Sequence, residues 1–206
     1  KAVGAAQDAL AAMPDKPEIL DALGKSQEVS GDFNQALAAY GKLAVSQPAS
    51  PLAQMRMANV HLTSKNQEEA IKSLRKALEI KPDLLEAQRA LILIALESKK
   101  PEDALAVARQ VQKQRPKEAI GMALEGDIQA AGQHWPEAAS AYRSALKLAA
   151  APELAIKLHS VYLAEKNRAE AEKTAAAWLK DHPKDVAFRF HLADVALASK
   201  DYTTAA

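Results

Sequence analysis

The chain has 206 residues, 27 basic and 26 acidic side chains, a formal net charge of +1 and no cysteine. That balance gives no electrostatic reason to bind nucleic acid or an anionic membrane, and the missing cysteine excludes a disulfide framework and thiol catalysis. Apolar residues make up 49% of the chain but aromatics only 4%. Alanine-rich sequences of this kind suit helices packed close together, because a small side chain lets backbones approach.

The prolines set the frame. Pro14, Pro48, Pro82 and Pro116 are equally spaced. Their period is about 34 residues, and self-similarity at a fixed period of this length marks a repeat architecture. Twelve residues before each stands an alanine: Ala2, Ala36, Ala70 and Ala104. Pro183 keeps the same relation with Ala171. Ala138 falls in the series, but Ala150 replaces its proline, and Ala205 extends it.

Taken in chain order, residues 1–16 are the second helix of a truncated repeat, opening with an amphipathic stretch and no signal peptide. Full repeats follow at 17–50, 51–84, 85–118, 119–151 and 152–185, and 186–206 start a further one. The chain is thus expected to be a piece of a longer array, since terminal repeats normally carry polar caps. Each unit reads as two helices; in the second, Leu52 to Ser64 and Gln67 to Ile80 carry apolar residues at helical spacing. Gly31-Asp32, Lys65-Asn66 and Lys200-Asp201 supply helix-end and cap chemistry between the two helices. The recurring alanine sits where two helices cross, and proline ends one unit because it cannot continue a helix. Ile92 and His159 stand where the pattern wants a small residue, so helix spacing should widen there. Gly132 lies six residues before Ala138, which predicts one extra residue in the Gly132–Trp135 turn. The longest strong apolar run, Leu91 to Leu96, is far short of the ~20 residues needed to span a bilayer.

No residue pattern points to chemistry. Histidines 61, 134, 159, 182 and 191 form no paired metal spacing. There is no Gly-rich phosphate loop and no G-x-S-x-G. Glu68-Glu69 and Glu102-Asp103 fall at the starts of second helices, where they complement the helix dipole. The sequence thus predicts no catalytic residue, no cofactor and no metal.

The spacing resembles the tetratricopeptide repeat, with pattern W-x2-L-G-x2-Y, A-x3-F and P. The first unit supplies Leu20, Leu23-Gly24, Ala36, Tyr40 and Pro48. The second supplies Met57-Ala58, Ala70, Leu74, Ala77-Leu78 and Pro82, and the fifth Leu158, Tyr162, Ala171, Trp178 and Pro183. The resemblance implies an all-α, right-handed superhelical solenoid of helix-turn-helix repeats, whose first helices line a concave surface that holds a protein or peptide partner. Carried over, the inward residues are Glu18, Asp21, Lys25 and Glu28 in the first unit. In the second they are Leu52, Met55, Asn59 and Leu62, with Arg56 at the edge. The third gives Glu86, Arg89, Leu93 and Leu96, and the fifth Glu153, Ile156, Ser160 and Leu163. The candidate groove is Leu52, Met55, Arg56, Asn59, Leu62, Arg89, Leu93, Leu96, Ile156 and Ser160. The family's carboxylate clamp is absent: Asn59 matches one position, while Asp21 and Leu93 occupy others.

Residues 105–206 also resemble the tetratricopeptide lipoproteins of bacterial PEP-CTERM and exopolysaccharide systems, the PrsT type. The strings are Ala108-Arg109, Gln112, Gln114 and Pro116, then Leu124-Glu125-Gly126-Asp127-Ile128, Ala138-Ala139-Ser140-Ala141-Tyr142, Trp178-Leu179 and His182-Pro183. That resemblance implies export and outer-membrane anchoring, against a cytoplasmic alternative. Three functions stay open: a scaffold binding a partner, an architectural or self-associating array, and a non-catalytic part of an enzyme complex.

Overall fold

The computed structural model describes Gly4 and residues 16–198. Residues 16–198 hold eleven helices and no strand. The expectations for the opening helix with Ala2 and Pro14, and for Lys200-Asp201 and Ala205, lie outside the described residues. The chain divides into two compact units, at Lys99 and Lys100.

Unit one contains α1 (Pro17–Val29), α2 (Phe33–Ser46), α3 (Leu52–Thr63), α4 (Gln67–Ile80) and α5 (Leu85–Glu97). Unit two contains α6 (Pro101–Gln114), α7 (Ile120–Ala131), α8 (Trp135–Leu148), α9 (Pro152–Ala164), α10 (Arg168–Asp181) and α11 (Val186–Ala198). Within each unit consecutive helices up to α10 pack on one another, and α11 packs on α9.

The second helices bury one narrow stripe. In α2 it is Ala36, Ala39, Tyr40 and Leu43; in α4, Ala70, Ser73, Leu74 and Ala77. Both follow the i, i+3, i+4, i+7 spacing of one helix face. Ala36, Ala70, Ala104 and Ala138 have no exposed surface, as the recurring alanine requires. Ala70 lies in a core cluster with Ala58, Leu74, Ala77, Ala87 and Ile94. Gly24, Ala58 and Gly126 occupy the small position of their helices; His159 takes it in α9.

The turns after α1, α3, α5, α7 and α9 use one device. Gly31 (φ 81°), Lys65 (60°), Lys99 (57°), Gln133 (60°) and Lys166 (63°) adopt the left-handed conformation. In four of these turns the next residue's N–H reaches five residues back into the helix: Asp32 to Gln27 O, Asn66 to His61 O, His134 to Gln129 O and Asn167 to Tyr162 O, at 2.7–2.9 Å. This closure satisfies carbonyls that the helix end leaves open. Asn66 and Asn167 then cap the following helix, their side chains accepting from Glu69 N–H and Glu170 N–H.

The fourth unit corrects the sequence reading. Gln133 stands one full period after Lys99 and takes the left-handed place; Gly132 has φ −82°. The Gly132–Trp135 turn therefore holds no extra residue, and Gly126 stands in register, three periods after Gly24. The period loses its residue later, between α8 and α9. In the other connections between repeats the C-cap carbonyl accepts from the third residue on: Ser50 to Gln47, Leu84 to Lys81, Glu118 to Arg115, Asp185 to His182. There proline holds the second place, Pro48, Pro82, Pro116 and Pro183, where a fixed φ suits the turn. Between α8 and α9, Ala151 N–H bonds Ala149 O instead. The tighter turn is one residue shorter and has Ala150 at the proline position.

Candidate functional site

In unit one the first helices α1, α3 and α5 carry the predicted groove residues. Leu52, Met55, Asn59 and Leu62 fall at i, i+3, i+7 and i+10 of α3, one helical stripe. Leu52 and Leu62 are 37% and 38% exposed, and Leu93 on α5 is 61% exposed. Arg89 and Glu86 are exposed beside it, and Leu96 is half-buried. Met55 is half-buried and packs on the core cluster around Ala58 and Ala70, so its side chain serves the core as well as the face.

The polar residues are tied together across helices. Arg56 reaches from α3 to Asp21 of α1, Nε at 2.8 Å and a terminal nitrogen at 3.4 Å. Lys25 adds a second cation to Asp21 at 2.6 Å. Burial works against the charge on Asp21, but the hydrogen bonds from Arg56 and Lys25 outweigh it and hold the carboxyl below its ordinary range. Asn59 donates to Glu28, and Glu28 also accepts from the Tyr40 hydroxyl at 3.1 Å. Burial and that carboxylate push the Tyr40 hydroxyl up, so it stays a donor. The amide of Asn59 is thus already engaged, and Arg56 is committed to Asp21.

Unit two holds a simpler cluster, with tyrosine and cation on one carboxylate. The Tyr142 hydroxyl donates to Asp127 at 2.6 Å, and Lys157 of α9 meets the same carboxylate at 2.5 Å. Gly24 and Gly126 face the rings of Tyr40 and Tyr142, and a Cβ at either would enter the ring's van der Waals envelope. Each tyrosine follows its glycine at the same interval along the chain, a signal that could have disclosed the network beforehand. Ile156 packs against the cluster of Ala155, Trp178 and Phe188, while Ser160 is exposed. Phe190 and Leu197, 67% and 52% exposed, were not singled out from the sequence. They stand one period after Ile156 and Leu163, so the repeat itself pointed to them.

Among the described residues no group of three or more His, Asp or Glu side chains could hold a metal ion, and no helix is long and apolar enough to cross a membrane. Helix pairs stacked in sequence within each unit define a helical-repeat protein. The chain belongs to the tetratricopeptide-repeat family, whose model matches residues 22–84, 89–155 and 160–206.

Three solved structures are similar in fold. The MamA protein has a TM-score of 0.60 and 18% identity, covering 84% of this chain and 94% of that one. PilW, described as a widely conserved type IV pilus biogenesis factor, has a TM-score of 0.59 and 18% identity, over 92% and 88%. YrrB, described as having an unusual peptide-binding site, has a TM-score of 0.56 and 16% identity, over 97% and 100%. No curated protein matches the sequence.

Proposed function

We propose that the chain is a protein-interaction scaffold without catalytic activity, and that the α1–α3–α5 face of unit one seats an apolar segment of a partner protein or peptide. The observation that carries this reading is the exposure of Leu52 and Leu62 on α3 and of Leu93 on α5. Exposed large side chains gathered in a patch mark interaction sites. Beside them Arg89 offers a cation for an acidic group of the partner. Unit two offers its own face, with Ile156 and Ser160 on α9 and Phe190 on α11. Tetratricopeptide proteins bind protein or peptide partners, and YrrB is a similar fold with a peptide-binding site.

Peptides selected from a displayed random library against the wild-type chain provide the test. The pair Leu62→Glu and Leu93→Glu should weaken binding at least ~10-fold, about 1.4 kcal/mol, at unchanged helicity. Val45→Glu, on the 82%-exposed Val45 of α2, should leave it unchanged. Equal binding by all three chains refutes the assignment.

The narrower reading is a role in exopolysaccharide export or PEP-CTERM protein sorting, in the periplasm or at the outer membrane. It is supported by the Leu124-Glu125-Gly126-Asp127 and Trp178-Leu179…His182-Pro183 strings; the similarity to a pilus biogenesis factor fits a membrane-associated setting. A gene neighbourhood with no such system, or a full-length reading frame with no export signal, would remove it.

A further inference from the structure

Two imidazoles meet where α11 docks on α9. Nδ1 of His159 lies 2.9 Å from Nε2 of His191, and the rings cross edge-on at a centroid distance of 4.9 Å and 89°. Phe188 packs beside both rings, 5.9 Å from each. His159 is 4% exposed. It occupies the position filled in α1, α3, α5 and α7 by Gly24, Ala58, Ile92 and Gly126, and it is the one polar side chain among them.

An imidazole–imidazole hydrogen bond needs one unprotonated nitrogen as acceptor. Once both rings are fully protonated, two N–H donors and two positive charges face each other at contact distance, and attraction becomes repulsion. We propose that His159 and His191 form a pH-sensitive latch, holding α11 on α9 near neutral pH and releasing it on acidification.

The charged surroundings do little to rescue the doubly charged state. His159 faces His191, and burial and that neighbour hold its pKa down at about 4. Burial also lowers His191, opposed by Asp194 one turn further along α11. On α9, Lys157 is committed to Asp127 of α7. From α10, the nearby Trp178 ring is uncharged, stacked on His182 and bonded through Nε1 to Asp185. Both histidines bind protons less readily folded than unfolded. Their contribution to stability is therefore complete above the ordinary value of 6.5, and it is lost as pH falls below that value, for His159 toward about 4.

Native-state hydrogen exchange, corrected for intrinsic rates, reads the latch directly. Between about pH 7.5 and pH 4.5, protection of the α11 amides should fall at least ~10-fold, well beyond any change in α3 and α4. The double variant His159→Gln and His191→Gln, which keeps hydrogen-bonding amides but does not titrate, should abolish the selective fall. If that variant does not fold, imidazole NMR titration of the wild type replaces it: both midpoints should lie below 6.5 and coincide with shifts of α11 resonances. Unchanged α11 protection, an equal fall in the double variant, or ordinary histidine midpoints would overturn the proposal. Zinc added at neutral pH should leave α11 unchanged; a zinc-dependent, chelator-reversible rise in protection would make the pair metal ligands instead and overturn the latch.

Discussion

Gly24 and Gly41 both lie inside helices, and the same substitution should act on them in opposite directions. A methyl at Gly24 would collide with the Tyr40 ring, whereas nothing lies within 4 Å of one at Gly41. Gly41→Ala should stabilise the chain by about 0.5–1 kcal/mol, by restricting the unfolded backbone. Gly24→Ala should cost about 1–3 kcal/mol through overpacking. Urea denaturation of both variants checks the signs, and two values of the same sign contradict the packing described. At this scale the sequence was informative about small residues and less so about polar ones. Alanine at the helix crossings was legible because size alone decides it. Asn59 reads as a groove residue, yet its amide bonds Glu28; the partner of an exposed amide depends on neighbours far away along the chain, which spacing does not disclose.

The helix-end turns carry the prediction at the scale of elements. Left-handed backbone costs a residue with a Cβ about 1–2 kcal/mol, and glycine little. Four of the five turns nevertheless hold lysine or glutamine there. Lys65→Gly should stabilise unit one by up to ~1 kcal/mol, after the added flexibility of the unfolded glycine is subtracted, and Gly31→Ala should lose a similar amount. Thermal melts separate the two, and stabilisation by Gly31→Ala would contradict the turn geometry. Helix limits were legible to within a residue, as with α3 and α4, because the apolar stripe and the cap residues agree. The missing residue of the fourth period was misplaced because Gly132 looks like the left-handed residue. Position in the turn, set by the carbonyls to be closed, overrides glycine's freedom, so Gln133 takes the place.

For the molecule as a whole, each unit depends on its alanine crossings. Ala70 has no exposed surface, so Ala70→Arg must force α4 from its neighbours and bury a charge without a partner. The cost should be at least ~3 kcal/mol; an unchanged melting temperature would refute the assigned register. The repeat class was legible because a fixed period survives substitution at every single position. Which first-helix residues keep exposed surface was legible only as a stripe, since side chains such as Met55 and Ile156 pack on the core as well. The proposed seat of the partner is the α1–α3–α5 face. Methyl NMR of the chain titrated with a selected peptide tests it most directly. Perturbations should gather on Leu52, Met55, Leu62, Leu93 and Leu96, leaving Val45 and Leu148 unmoved; perturbations centred on Val45, Leu148 or the other second-helix surfaces would contradict it.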